Sequence, residues 1–456
     1  MNHKPMQHFW LKSVLPIAGM FSFRMLGLFM LIPVFTVYAV DLNAATPALI
    51  GVALGSYGLS QGILQIPFGL LSDRIGRKPI ITLGLLLFLA GSLWGALTDS
   101  IYGMIIARTL QGTGAIGSVL IALLADLTPD AERTKAMAVI GSSIGLSFSL
   151  AMVLSPAIAH AYGLSGIFYF TAVLATLGLL LLHTVVPTPI KEPFHSNTDA
   201  RPRLFKSVVA NHHLQRLNAG IFCQHFILTS TFFVIPMLLQ EQIKQGHLIQ
   251  QWRFYLPLMI FSFLAMVPFI VIAEKMSRIK TVFLSSVLIT GLSQLFLAFT
   301  YQYWLGICAL MFSYFVVFNI LEASLPSLIS KQADPKAKGT AMGIYSSFQF
   351  LGIFAGGATA GFLYQYAHSK GIFILNASMS LLWFIIAMKM TPNAYQTTIS
   401  VPYDASIHTR EQLSLKLESL PGVMSVAFSE NAGLIYLRIN KARYKTGSAE
   451  QRLLDI

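Results

Sequence analysis

Two uncharged stretches, Gly51 to Leu71 and Pro79 to Leu97, meet at a short knot that holds Asp73, Arg74, Arg77 and Lys78. Each is about 20 residues long, enough for a helix to cross a hydrocarbon core of roughly 30 Å. A backbone in lipid must satisfy its own amides and carbonyls, so two such runs joined by a basic turn predict a helical hairpin through a bilayer. The pattern recurs. Apolar runs fall near 13 to 38, 50 to 71, 79 to 97, 102 to 125, 136 to 160, 165 to 186, 217 to 240, 254 to 273, 281 to 299, 303 to 329, 340 to 365 and 371 to 390. They predict an α-helical polytopic membrane protein with twelve transmembrane helices. With 55% hydrophobic and 11% charged residues, a single water-soluble core is excluded.

Lys and Arg gather in alternate loops. With the N-terminus inside, the inner segments from Lys4 to Lys338 carry 18 of them, against Lys244, Arg253 and Lys370 outside. Cytoplasmic loops retain positive charge, so both termini are expected in the cytoplasm. The net charge of +13 does not point to nucleic acid, because the cations lie between apolar spans and not on an aromatic-interleaved surface. Cys223 and Cys308 lie singly in apolar runs, so neither a disulfide nor a metal site is expected. The first run lacks a small-residue cleavage pattern and reads as a retained helix. No grouping of nucleophile and base suggests an enzyme.

The proline-rich loop from Pro187 to Asn218 divides the spans six and six, giving bundles at 1–190 and 217–392 with a linker at 191–216. Within the linker, Leu204, Phe205, Val208 and Val209 share one helical face, which suits either the inner leaflet surface or a plain linker helix. Ala136-Met-Ala-Val-Ile-Gly-Ser142 matches Ala341-Met-Gly-Ile-Tyr-Ser-Ser347 at an offset of 341 − 136 = 205 residues. A parallel repeat of two six-span bundles is the trace of a rocking transporter with a central site; chance likeness of apolar helices is the alternative. After Met390 the pattern changes. Strands at 397–403, 423–428 and 434–439 alternate with helices at 409–420 and 448–454, where Thr409 and Gln412 are placed for a capping box. This βαββα order at 395–456 reads as a small cytoplasmic ferredoxin-like domain without its last strand. The edge so exposed could take a protein partner, or the domain a regulatory ligand.

Gly69, Asp73, Arg74, Gly76, Arg77 and Lys78 fit the pattern G-x-L-a-D-r-x-G-r-k that joins the second and third helices of the major facilitator superfamily. Arg108-Thr-Leu-Gln111-Gly112-Thr-Gly114-Ala115 resembles its R-x-x-q-G-x-g-a motif in helix four. Phe23-Arg24-Met-Leu-Gly27, the run from Gln65 to Lys78 and that from Leu325 to Lys331, with the tail, resemble the YajR-type bacterial group. The resemblance covers nearly the whole chain. It implies alternating access in the bacterial cytoplasmic (inner) membrane, a monomer, and export of drugs or other small amphipathic molecules. The proton gradient would drive it, with no cofactor. In helix five this chain has Gly141, Gly145 and Ser155-Pro156 where the antiport pattern has Gly-Pro, which leaves metabolite symport as the alternative to antiport. A transporter-derived sensor that reports through the tail is a further reading.

Gly69 and Gly76 permit a tight turn and close helix approach. Asp73 can meet the positive end of a neighbouring helix, and the resemblance nominates the eleventh, near Gly339. Arg77 can pair with Asp126. Contacts made in only one arrangement of the bundles bias the equilibrium between arrangements. A purely topogenic loop would explain the cations but not the glycines or Asp73.

Ionisable groups within spans are costly and therefore candidates. Arg24 and Arg108, the latter on one face with Gln111, suit a central or gating patch or a structural interhelical bond. Glu322, with Asn319 before it and Pro326 after it, could load and release a proton. His225, near Thr229, is the second titratable candidate, since imidazole titrates near neutral pH. Both could instead be packing residues. Tyr57, Gln61 and Gln65 form a polar stripe that faces a cavity or another helix.

Overall fold

The computed structural model describes residues 10–128, 130–188, 200–275, 278–334, 337–390, 396–403, 410–429, 434–440, 443–445 and 447–454. Among these, nine helices are long and apolar enough to cross a membrane. The first apolar run is interrupted: α1 (Leu15–Phe29) ends in a turn at 30–34 before the short α2 (Phe35–Tyr38). The hairpin is α3 (Pro47–Ile75) and α4 (Arg77–Leu97). Pro47 starts α3 where its missing amide costs nothing, and Thr46 accepts the Leu49 amide at 3.3 Å. The fourth run is also broken, into α5 (Ile101–Thr113) and α6 (Gly117–Leu127). At the break the backbones of α4 and the chain touch, for a Cβ on Gly114 would lie 2.3 Å from the Gly84 carbonyl oxygen.

The long α7 (Asp130–Thr184) is followed by α8 (Ala200–Ala210), α9 (His212–Lys244), α10 (Trp252–Lys275), α11 (Ile279–Thr300), α12 (Trp304–Gln332) and α13 (Lys338–Met388). Helix α9 starts before the expected residue 217 because the Asn211 carboxamide oxygen accepts the His213 and Leu214 amides, at 2.9 and 3.3 Å. Helices α7 and α13, of 55 and 51 residues, each turn back at one residue with positive φ: Gly163 (φ 66°) and His368 (φ 48°). These turning points are 368 − 163 = 205 residues apart, the displacement already seen in the repeated segments. Nothing lies within 4 Å of where a Gly163 Cβ would stand, so alanine there meets backbone strain alone. Gly163→Ala is expected to cost about 1–3 kcal/mol and to lower the unfolding midpoint in a fluorescence thermal scan. Gly141→Ala, equally open but in regular helix, should leave the midpoint unchanged or raise it.

The two halves press together at the end remote from the Gly76 turn. A Cβ on Gly51 would lie 2.3 Å from the Gly357 carbonyl oxygen, one on Gly58 2.4 Å from that of Phe350, and one on Gly361 2.3 Å from that of Pro47. Towards the knot, Gly141, Gly145, Gly339 and Gly343 have nothing within 4 Å of a would-be Cβ. The closest backbone approaches between the two halves therefore lie at the far end.

Beyond α13, β1 (Gln396–Pro402), α14 (Arg410–Glu418), β2 (Val423–Ser429), β3 (Leu434–Asn440) and α15 (Ser448–Leu454) follow. The strands form an antiparallel sheet in the order β1-β3-β2, over a core that includes Val401, Leu413, Leu417, Ile435 and Leu437. Alternate strand residues point to one face, which is why the sequence pattern located them. Thr409 of the expected capping box, and much of the proline-rich loop, lie outside the described residues.

Candidate functional site

The knot is built on Gly76, whose φ of 114° lets α3 pass directly into α4. That reversal aims Arg77 back along α3: Nη1 donates to Asp73 Oδ1 at 2.6 Å and to Ser72 Oγ at 2.7 Å. Its Nε donates to Asp126 Oδ2 at 2.8 Å, tying the turn to the end of α6. A Cβ on Gly69 would stand 3.4 Å from Ser118 Oγ of α6, and Arg74 is exposed. Lys78 Nζ donates to the Val186 carbonyl at 2.6 Å. The knot thus binds three elements of one half, and the space beside Gly339, at the start of α13, is open.

In the membrane interior of the same half, Tyr57 stands between two guanidinium groups. Arg24 Nη2 donates to its hydroxyl at 2.9 Å, and the Arg108 guanidinium lies 5.0 Å from its ring centroid. Arg24 also donates to Gln61, whose amide donates to Gln65 at 2.8 Å. Arg108 Nη1 donates to Gln111 at 2.9 Å, and Gln111 to Ser92 Oγ at 2.9 Å. All six residues of the network named from the sequence are buried, so the stripe on α3 faces this half's interior. An aromatic face and carboxamide oxygens compensate the cations here. Among the described residues Arg24 Nε and Nη1 and Arg108 Nε have no hydrogen-bond partner, so the network holds spare donors. Ser155, the departure in helix five, is buried and donates to the Met30 carbonyl, at the turn that interrupts the first span.

The second cluster lies in the other half. Gln224 Nε2 donates to Glu322 Oε2 at 2.9 Å, and His225 Nε2 is 3.9 Å from the same oxygen. Gln349 Nε2 is 2.8 Å from His225 Nε2. Helices α9, α12 and α13 therefore bring together the two titratable candidates, which are 97 positions apart in the chain (322 − 225). The His225 side chain is 4% exposed and that of Glu322 37%, so the carboxylate is the more accessible of the two. Asn319 does not join them; its Nδ2 donates to Ser262 Oγ at 3.3 Å and holds α12 to α10.

Aromatic rings roof this cluster on its far side. Phe318 lies 6.3 Å from the His225 ring and stacks on Phe148 of α7 at 5.9 Å. Phe148 in turn meets Phe29 of α1 at 5.1 Å and Phe315 at 6.2 Å, so the roof joins both halves. Reasoning from sequence missed these rings, and among 33 phenylalanines no single one stands out. It also missed Gln224 and Gln349, and the contact of Gly51, Gly55 and Gly58 with α13. The glycines carried a readable signal, since small residues at spacings of three and four let membrane helices approach closely.

A family model described as "Major Facilitator Superfamily" matches residues 17–267 and 217–401. The chain is 42% identical over 426 residues to "Inner membrane transport protein YajR" of Escherichia coli (strain K12), covering 93% of each chain. It is 24% identical over 384 residues to "Quinolone resistance protein NorA" of Staphylococcus aureus (strain COL), covering 80% of this chain and 92% of that one. Among solved structures it resembles a D-xylose-proton symporter with a TM-score of 0.68 at 18% identity, over 84% of this chain and 98% of the other.

Proposed function

This chain belongs to the Major Facilitator Superfamily of membrane transporters, and we propose that it exports small amphipathic molecules in exchange for protons by alternating access. The observation that carries the reading is the Glu322 cluster. A partly exposed carboxylate stands 3.9 Å from a buried imidazole, beneath an aromatic roof that separates it from the far end. Such a group takes a proton from one aqueous side and releases it to the other only when the roof opens and the knot end closes. The resemblance to a protein named for quinolone resistance supports efflux as the direction. Ser155-Pro156, in place of the antiport pattern, supports metabolite symport as the second reading.

In this reading the chain has twelve spans: the nine candidate helices, the interrupted α1 and α2, and the second legs of α7 and α13. The knot end is cytoplasmic in the bacterial inner membrane, as its basic loops favour. Residues 395–456 are a ferredoxin-like cytoplasmic domain, supported by the β1-β3-β2 order. Tyr57, Gln61, Gln65, Arg24, Arg108 and Gln111 form a polar joint within the first half that re-pairs as it rocks. The knot acts as a latch that favours closure of its own end. Asp73→Asn is expected to shift the resting population towards the knot-open state by about fivefold to tenfold, read as longer spin-label distances across that end. An unchanged distance distribution would remove the latch role.

The test of the function is flux. Purified protein in proteoliposomes, with an imposed pH gradient and norfloxacin or ethidium as fluorescent probe, should move the probe against the proton flow. Movement only along with the proton flow would establish symport. No gradient-driven movement of either probe would count against drug export.

A further inference from the structure

The repeat that relates the two halves also shows where they differ. Lys78 Nζ donates to the Val186 carbonyl at 2.6 Å, and Lys280 Nζ donates to the Met388 carbonyl at 3.0 Å. Both members of the pair are displaced by 280 − 78 = 388 − 186 = 202 positions. In each half, then, a lysine at the start of one helix closes the end of that half's last helix, where carbonyls lack amide partners.

Around this shared bond the halves diverge. In the first half Arg77 is paired with Asp73 and Asp126, and Thr82 Oγ1 and His183 Nε2 bridge the neighbouring helices at 3.0 Å. At the same displacement, Thr82 and His183 become Leu284 and Ile385, which cannot form that bridge. Gly76 becomes Arg278, which is exposed and has no ion-pair partner among the described residues. What remains in the second half is a cleft of about 490 Å³, with Arg278, Lys280 and Thr281 at one end and Leu284, Leu288 and Phe384 at the other.

We propose that this cleft binds an anionic phospholipid, its phosphate between Arg278 and Lys280 and one acyl chain along Leu284, Leu288 and Phe384. The depth suits such a molecule. Lys280 meets the Met388 carbonyl and Arg216 Nη1 donates to the Lys389 carbonyl at 2.8 Å, so the last turn of α13 and the first of α11 lie at one level. Cations stand at that level, and apolar side chains run from it towards the middle of the helices; Leu288 is 46% exposed. The charge suits it too, because among the described residues no carboxylate lines the cleft to neutralise the two cations. Free phosphate would match the cations but leave the apolar wall uncovered. A zwitterionic lipid would cover the wall without balancing the charge.

Native mass spectrometry of the full chain, released from detergent after incubation with phosphatidylglycerol or with phosphatidylcholine of the same chains, tests this. One phosphatidylglycerol should be retained per chain, in preference to phosphatidylcholine. Replacing both cations (Arg278→Gln with Lys280→Gln) should weaken that preference by about fivefold for each charge removed. Leu288→Trp, which fills the apolar end and keeps both cations, should reduce retention of the lipid and serves alone if the double variant does not fold. Equal retention of both lipids, an unchanged preference in the variants, or displacement of the lipid by millimolar inorganic phosphate would overturn the assignment.

Discussion

Gly361→Ala is expected to part the far ends of the two halves. The added methyl would stand 2.3 Å from the Pro47 carbonyl oxygen and 2.8 and 2.9 Å from Gly51 Cα and nitrogen. All three are backbone atoms of α3, so no side chain can rotate away and the helices themselves must separate. Overpacking of this kind costs about 1–3 kcal/mol. That corresponds to roughly a fivefold to 150-fold change in the ratio of two arrangements, enough to depopulate the state seen here. Spin labels at Val40 and Ile249, exposed positions near the far ends of the two halves, should report longer distances. Gly343→Ala, on the same helix but facing open space, is the control and should leave the distribution alone. If Gly361→Ala also leaves it alone, the glycine contact does not hold the far end shut.

Glu322→Gln is expected to abolish flux driven by a pH gradient while probe binding survives. The carboxamide keeps the shape of the carboxylate and can still accept from Gln224, 2.9 Å away in the native chain, but it cannot carry a proton. With norfloxacin in proteoliposomes, driven flux should fall at least about tenfold, as expected when an intramembrane proton carrier is lost. Exchange of the probe without a gradient should continue, because that needs only the rocking motion. Persistence of driven flux would remove Glu322 from the coupling role and leave His225, buried beside it, as the candidate.

Much of this architecture is legible in the order of residues alone. The strands at Gln396–Pro402, Val423–Ser429 and Leu434–Asn440 lie within a residue or so of their expected bounds, since alternation is a local property of a half-buried strand. Single residues also gave away partners that lie close by geometry: Arg77 and Asp126 flank helix ends that the hairpin must bring together, and they meet at 2.8 Å. Elsewhere the sequence misled. Asn319 sits one turn from Glu322 on α12, yet it faces Ser262 on another helix, because neighbours on a helix need not share a partner. The interruptions at 30–34 and Gly114–Ile116 are missed by hydropathy, which does not drop there, although Pro33 and Gly114 carry the signal.

Hydropathy and loop charge by themselves determined that this chain must cross a membrane many times and carry a basic knot between its second and third apolar runs. These follow from the solvation of each segment taken alone, which the order of residues states directly. Only the tertiary structure decided that glycines on α3 and α13 bring the far ends together and that Glu322 is the partner of His225. Those outcomes depend on approaches of a few ångströms between residues as far apart as Gly51 and Gly361. Packing against a remote helix leaves no mark on the local pattern of either one.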